Sequence, residues 1–436
     1  MISSRTLHRL RSLFGGLLLF AFSVLSASAQ PAGPEFFSIY DDPKEDGVMG
    51  YHLPQILCTR QGTLLALVEA RYRWGDGVKA DVVLRRSTDR GATWSKSQFV
   101  ARGKGDENHV LPVLVQDKVS GRIFFFCPLR DEGAHDLTTQ NFYRTSDDDG
   151  VTWSDPVDIT SLLVAAEARL KEDLQAGRAP AAFAGDTTEL FGRKLFFFGP
   201  GRPIQLSATH PVAPHRLVVP LFLMKDRVSQ PRAKRAYGNG ALVSDDGGRT
   251  WRVGGFVPLG EFGSSEVSVV ELDDGRLLLN ARGAPPESKG FSVAGRTLSY
   301  SSDGGTTWTR PVLDTSGIPQ YPETHSGLLR VPLGDMKDPR RSALLFSFPA
   351  GLPEPGKPVR VTARSEGTVM LSLDDHRSWV ARKVVRPGTF GYSNMDRLPD
   401  NTLVMIFTDA NLKQVWLARF TLDWLSDGKV RSVASE

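Results

Sequence analysis

Five in-order copies of one eight-residue motif, a generous share of glycine and proline, and a single segment of helical period predict an all-β chain. The expected architecture is a six-bladed β-propeller of four-stranded antiparallel blades with one short helical insertion. The motif is Ser-x-Asp-x-Gly-x-Thr-Trp. It runs Ser87-Thr-Asp89-Arg-Gly91-Ala-Thr93-Trp94 and returns at Ser146–Trp153, Ser244–Trp251 and Ser301–Trp308. A worn fifth copy, Ser372-Leu-Asp374-Asp-His376-Arg-Ser378-Trp379, lacks the glycine and carries Ser for Thr. Five of the eight tryptophans are spent on the motif, so it organises the whole chain.

Its chemistry is structural. Asp and Gly make a tight turn, Gly supplying positive φ. The hydroxyls satisfy turn backbone, and the indole pins the turn to a sheet. Strand-like runs precede the copies at 81–86, 141–145 and 298–301, so each copy marks one hairpin of a repeated antiparallel unit. The motif aspartates are therefore fold signals, not acids or metal ligands. Successive serines at 87, 146, 244, 301 and 372 are 59, 98, 57 and 71 residues apart. Four-stranded sheets of about 50–60 residues fit the short intervals. The long interval holds the helical segment Ser161–Arg178, with Leu163, Ala166, Leu170 and Leu174 on one face. Six blades fit the roughly 390 residues from Phe36 to about Ser426.

The N-terminus reads as an export signal. Arg5, Arg9 and Arg11 precede an apolar run from Leu13 to Leu25, and small residues follow at Ala27, Ser28 and Ala29. Residues 1–29 are the expected signal peptide, cleaved before Gln30, and the run is shorter than the ~20 residues of a membrane span. Residues 30–436 form the expected propeller, secreted or periplasmic, with no transmembrane segment after cleavage. The formal charge of +4 includes the leader's three arginines and no leader acid, which leaves +1 on the mature chain. Such a balance gives no reason to expect a nucleic-acid partner. Cys58 and Cys127 lie in apolar strand-like runs and read as buried thiols, although export permits a bridge. The eight histidines show no metal-binding spacing, so no metal and no cofactor are expected.

The repeated motif is the Asp box, and the chain resembles the sialidase (neuraminidase) superfamily of six-bladed propellers. Further segments in family order carry the resemblance across nearly all of the mature chain. They are Leu64–Arg71 ending in Glu69-Ala-Arg71, Gly199–Leu206, Arg216–Pro220, Ser265-Glu266 to Glu271, Gly275–Arg282, Arg364-Ser-Glu-Gly, and Gly391-Tyr392-Ser393. The resemblance implies a retaining exo-α-sialidase-like hydrolase that releases terminal sialic acid from a sialoglycan, working as a monomer. It implies that Arg282 and Arg364 grip the substrate carboxylate, because planar guanidinium forks match a planar anion. The first arginine of the family's triad is replaced here by His52, in Tyr51-His52-Leu53-Pro54; Arg60 and Arg73 are the nearby arginines that would compensate.

Asp76, in Arg73-Trp-Gly-Asp76-Gly, matches the family's acid/base aspartate, with Asp81 the weaker alternative. Arg71 would contact another substituent or brace Asp76. Tyr392 would be the nucleophile and Glu266 its base. A carboxylate nucleophile would be repelled by the substrate's own carboxylate, whereas a phenol is not. His325, in Glu323-Thr-His-Ser326, falls among the family's pocket positions or serves the fold. The missing arginine leaves two rivals open: a hydrolase of another acidic (ulosonic) sugar, or a non-catalytic glycan-binding propeller.

Overall fold

The computed structural model describes residues 32–75, 77–131, 139–186, 195–224, 237–259, 263–284, 295–318, 324–333, 341–352 and 364–430. The expected signal peptide lies outside them. The chain opens with β1 (Glu35–Tyr40), β2 (Gly50–Cys58), β3 (Leu64–Arg71), β4 (Ala80–Ser87) and β5 (Gln98–Ala101). It continues with β6 (Glu107–His109), β7 (Val113–Gln116), β8 (Ile123–Asp131), β9 (Thr139–Ser146), β10 (Val157–Asp158) and the helix α1 (Thr160–Gln175). Next come β11 (Leu195–Phe198), β12 (Ile204–Gln205), β13 (Leu217–Met224), β14 (Tyr237–Ser244) and β15 (Arg252–Phe256). Then follow β16 (Gly263–Glu271), β17 (Leu277–Ala284), β18 (Arg296–Ser301), β19 (Val312–Leu313), β20 (Gly327–Pro332), β21 (Ser342–Pro349), β22 (Ser365–Ser372) and β23 (Ala381–Thr389). The last elements are β24 (Ser393–Arg397), β25 (Leu403–Thr408), β26 (Val415–Phe420) and the short helix α2 (Leu422–Leu425).

These strands form a β-propeller arrangement. Inner strands meet in the order β2, β24, β20, β16, then the β12–β13 sheet, β7 and back to β2, which closes a ring. Strands such as β3 (LLALVEAR) and β13 (LVVPLFLM) are buried along their whole length, because neighbouring sheets cover both faces. The separate six blades expected are not what the hydrogen bonding gives: the described residues form five sheets, of four, nine, five, four and four strands. The nine-stranded sheet arises at β6, which pairs with β4 through Ala80 and Asn108 and with β8 through three residues. So short a strand has no sequence period to announce it.

The Asp boxes behave as expected. In each, the Ser hydroxyl donates to the Asp carboxylate and accepts from the backbone two residues beyond that Asp, while the Asp accepts from the Thr or Ser four residues on. Ser87 reaches Asp89 at 2.7 Å and accepts from Gly91 N at 2.8 Å. The worn copy keeps the network: Ser372 to Asp374 at 2.8 Å, His376 N to Ser372 at 3.1 Å and Ser378 to Asp374 at 2.6 Å. His376 takes the glycine's conformation, φ 76°, and its ring is used elsewhere, 3.2 Å from Asn280 Nδ2 and against Trp379.

Each box joins the third and fourth strands of a meander. The sheet β1-β26-β25-β24 has none, because β26 ends the chain's last run while its outer partner β1 comes from the N-terminal side. Helix α1 lies in the long interval and lays Leu163 and the partly buried Ala166, Leu170 and Leu174 on a core containing Phe124, Phe126 and Trp251. Cys58 and Cys127 are buried and free. No helix among the described residues is long and apolar enough to cross a membrane.

Candidate active site

The predicted site residues that are described converge at one mouth of the ring, where the inner strands begin, Asp81 excepted. Irregular backbone aims them. On β16 the pairing with β17 slips between Ser264 and Val267, so Glu266 sits at a bulge. On β2 the register slips between His52 and Gln55, where Leu53 adopts φ 48° ahead of Pro54. Bulges re-aim side chains, and a branched residue at positive φ persists only where its surroundings hold it. Tyr392 immediately precedes β24. The approach of Gly391 requires a glycine, since a Cβ there would lie 2.5 Å from Thr408 Oγ1.

Tyr392 is the hub. Its hydroxyl donates to Glu266 Oε1 at 3.2 Å, while Arg282 Nη1 donates to Glu266 Oε2, also at 3.2 Å. Burial works to raise the Glu266 carboxyl, but nearby positive charge, Arg282 foremost, outweighs it and holds the group below the ordinary carboxylate range. The Arg364 guanidinium stands 5.0 Å from the Tyr392 ring centre. The ring is packed by His52 at 4.6 Å and His325 at 5.0 Å, centroid to centroid. His325 is buried, and burial first lowers it to about 4, so it is neutral near pH 7.

Glu69 ties the second part together. Arg71 Nη2 and Nε lie 2.9 and 3.0 Å from Glu69 Oε2, Leu111 N donates to Oε1 at 2.7 Å, and His52 Nδ1 stands 3.6 Å from Oε2. Burial and the nearby Arg71 charge both push His52 below its usual value, against the pull of Glu69. His52 is therefore a neutral ring where a guanidinium was expected by family pattern. Arg71 also donates to the Gly75 carbonyl at 2.8 Å.

Six predicted residues thus belong to one connected cluster: Tyr392, Glu266, Arg282, Arg364, His52 and Arg71. Asp76 lies outside the described residues. Asp81 is not part of the cluster: it pairs across the sheet with Ala70, on the face opposite Glu69 and Arg71, and accepts from Tyr72 Oη at 2.8 Å and Gly103 N at 2.9 Å. The arginines expected to compensate for His52 do not reach the site. Arg60 follows the far end of β2 and donates to the Lys118 and Val119 carbonyls, while Arg73 is exposed and pairs with Asp106 at 2.7 Å.

Sequence reasoning missed the Glu69 bridge, although its signal was present: residues 69 and 71 of one strand share a face. It also missed the apolar floor beside Tyr392, built by Leu53, Leu111, Phe197, Phe222 and Met224. Among the described residues no group of three or more His, Cys, Asp or Glu is arranged to hold a metal ion.

The fold and cluster together define a class, the BNR-repeat propellers of the sialidase superfamily. A model of the BNR repeat-like domain matches residues 62–405, and the chain belongs to that family. A sialidase of Micromonospora viridifaciens is 29% identical over 93% of this chain and 57% of its own length. A sialidase of Bacteroides fragilis is 23% identical over 83% of this chain and 60% of its own. The chain thus spans well under two thirds of these relatives. Among solved structures, a Hadza microbial sialidase superposes with a TM-score of 0.66 at 20% identity, covering 88% of this chain and 68% of that one. The intramolecular trans-sialidase from Ruminococcus gnavus in complex with oseltamivir carboxylate gives 0.62 at 18% identity, covering 89% and 97%. At these identities the structural likeness speaks for the fold.

Proposed function

We propose that this chain is a retaining exo-α-sialidase-like glycoside hydrolase that releases a terminal sialic acid from a glycoconjugate. The observation that carries the reading is the Tyr392 hydroxyl on Glu266 Oε1 at 3.2 Å, with Arg282 on the same carboxylate. Named sialidases among the relatives support the substrate class.

In the first step Tyr392 Oη attacks the anomeric carbon while its proton passes to Glu266. The bond to the leaving oxygen breaks as Asp76 donates a proton to it. In the second step water attacks the same carbon and gives its proton to Asp76. The tyrosine oxygen leaves and takes its proton back from Glu266. Two displacements retain the configuration. Arg282 and Arg364 would hold the substrate carboxylate, and Arg71, already locked to Glu69 and the Gly75 carbonyl, would brace the acid/base loop or meet a further substituent.

The neutral His52 favours a second reading on the same scaffold. With one charge-assisted contact gone, anion binding weakens by roughly 1.5–3 kcal/mol, which suits a related ulosonic acid gripped through other substituents. A panel of fluorogenic α-ketosides tests both readings. Turnover of the sialic acid ketoside is expected. Turnover of another acidic ketoside alone would favour the second reading, and no turnover across the panel would make the protein a glycan-binding module.

The same proposal includes export through residues 1–29, a mature monomer of 30–436 and six blades. The blade count treats the nine-stranded sheet as two four-stranded meanders, β2–β5 and β7–β10, each ending in its own box. A mature charge of +1 supports no nucleic-acid partner.

A further inference from the structure

A cavity of about 740 Å³ opens at the other mouth of the ring. Its walls are the ends of the inner strands whose beginnings carry the Tyr392 cluster: Cys58 ends β2, Gln116 ends β7, Glu271 ends β16 and Arg397 ends β24. Between the two mouths hydrogen bonds tie the inner strands together, and the cavity shares no lining residue with the Tyr392 cluster. Gln55 donates to the Pro200 carbonyl, Asn394 Nδ2 donates to Gln55 Oε1 at 2.9 Å, and Ser268 Oγ donates to the Ser326 carbonyl at 2.6 Å. Gly201 lies so close to Ser268 that a Cβ would stand 2.1 Å from its Oγ. A ligand at the far mouth is therefore separate from the glycoside site.

The cavity is lined by six basic and four acidic side chains, unevenly spread. Arg60, Lys118, Arg202 and Arg397 line one wall, where Asp396 is the carboxylate among the lining residues. Asp396 is already taken, by Cys58 N at 2.8 Å, Arg202 Nη2 at 2.9 Å and Arg397 N at 2.8 Å. Among the described residues, the Arg60 side chain meets only the Lys118 and Val119 carbonyls, and Arg397 donates from its side chain to Asn401 Oδ1. Arg202 Nε is buried with no hydrogen-bond partner there. Burial, and behind it the Arg202 charge opposing the pull of Asp396, holds the Arg397 guanidinium below its ordinary range. Cations crowded in this way are relieved by an anion.

The opposite wall carries Glu271 and Asp273. Ser207 donates to Glu271 at 2.6 Å, and Arg330 donates to Asp273 at 2.7 Å. These two carboxylates share Arg330, which lies 3.9 Å from Glu271, with Asp274 and Arg341 on the same wall, and their remaining lone pairs can accept from hydroxyl groups. The volume lies within the range of small-molecule sites and is ample for one sugar unit.

We propose that this far-mouth cavity binds a small oxyanion-bearing polyol, its carboxylate or phosphate against Arg60, Lys118, Arg202 and Arg397 and its hydroxyls toward Glu271 and Asp273. Guanidinium forks match either oxyanion. The proposal does not depend on the glycosidase reading, because the two mouths are separate.

Calorimetric titration of the whole protein with glucuronic acid, inorganic phosphate and glucose tests it. Binding of at least one of the anions is expected, and none of glucose. The double variant Arg60→Ala, Lys118→Ala removes two exposed side chains outside the catalytic cluster. It should weaken anion binding by roughly tenfold or more, the scale of lost charge-assisted contacts, and leave ketoside turnover unchanged. Heat from phosphate alone or from glucuronic acid alone, lost in the variant, supports the site and tells which oxyanion it takes. No heat from either anion at millimolar concentration overturns the proposal. So does an affinity unchanged in the double variant, which would put the anion in the Tyr392 mouth.

Discussion

A phenol near neutral pH attacks carbon well only if its proton has an acceptor in place. Glu266 supplies one at 3.2 Å from Tyr392 Oη, and Arg282 keeps that carboxylate ionised against the effect of burial. The sign follows. A carboxyl held low in the folded protein stays charged until the pH falls through that lowered value, so the acid limb of kcat/KM should lie below the ordinary carboxylate range. Arg282→Gln leaves Glu266 buried without its counter-charge, and the limb should move to higher pH whatever the fall in rate. A limb that stays where it was would remove Glu266 as the proton acceptor. These residues were legible because each stands in a local segment: Glu266 after Ser265, Arg282 closing a strand, Tyr392 in a Gly-Tyr-Ser turn. Of the Glu69 bridge only the Arg71 half was legible, from the shared strand face; its other partners, His52 and Leu111, come from β2 and from the segment before β7, and only the fold sets them side by side.

At the scale of the element, the Asp box is a hydrogen-bond knot whose residues satisfy one another. That each copy marks a hairpin could be anticipated from the strand-like runs before three of them; that the hairpin joins the third and fourth strands could not. The worn copy could not be valued from its letters. His376 looks like a lost glycine, yet its ring reaches Asn280 and lies 3.6 Å from Asp314 of the neighbouring sheet. A left-handed conformation costs a non-glycine residue about 1–2 kcal/mol, so restoring glycine relaxes the turn. The same change empties a buried site and strands polar partners, at about 2–5 kcal/mol. His376→Gly should therefore lower stability by about 2 kcal/mol, and by at most about 4, in denaturant unfolding, the difference between those effects. A stabilised variant would mean that the ring contributes nothing beyond its strain. The bulges on β2 and β16 were equally hidden, since strands covered on both faces, as β2 is along its whole length, show no clear alternation for a slip to interrupt.

The whole molecule is a ring closed by strands from opposite parts of the chain, with β1 laid against β26 and Tyr40 donating its hydroxyl to the Ala66 carbonyl of the next sheet at 3.1 Å. This closure explains why five boxes suffice and why the sheet that seals the ring lacks one. The repeat spacing foretold the propeller, and α1 accounted for the long interval. The joining of two meanders through β6 rests on a three-residue strand and was beyond reach. The ring also gives the molecule two mouths of different chemistry. One holds a tyrosine among arginines and neutral histidines, the other a wall of guanidinium groups. The proposed double displacement requires Tyr392 to form a covalent bond to the sugar. A sialic acid derivative bearing fluoride as leaving group and a second fluorine beside the anomeric carbon slows hydrolysis of such an intermediate, so it accumulates. Mass spectrometry of the digested protein should then find the sugar on the peptide that contains Tyr392, and no adduct on Tyr392→Phe. No adduct on the parent protein, or an adduct on Glu266 or another residue, would rule out Tyr392 as the nucleophile.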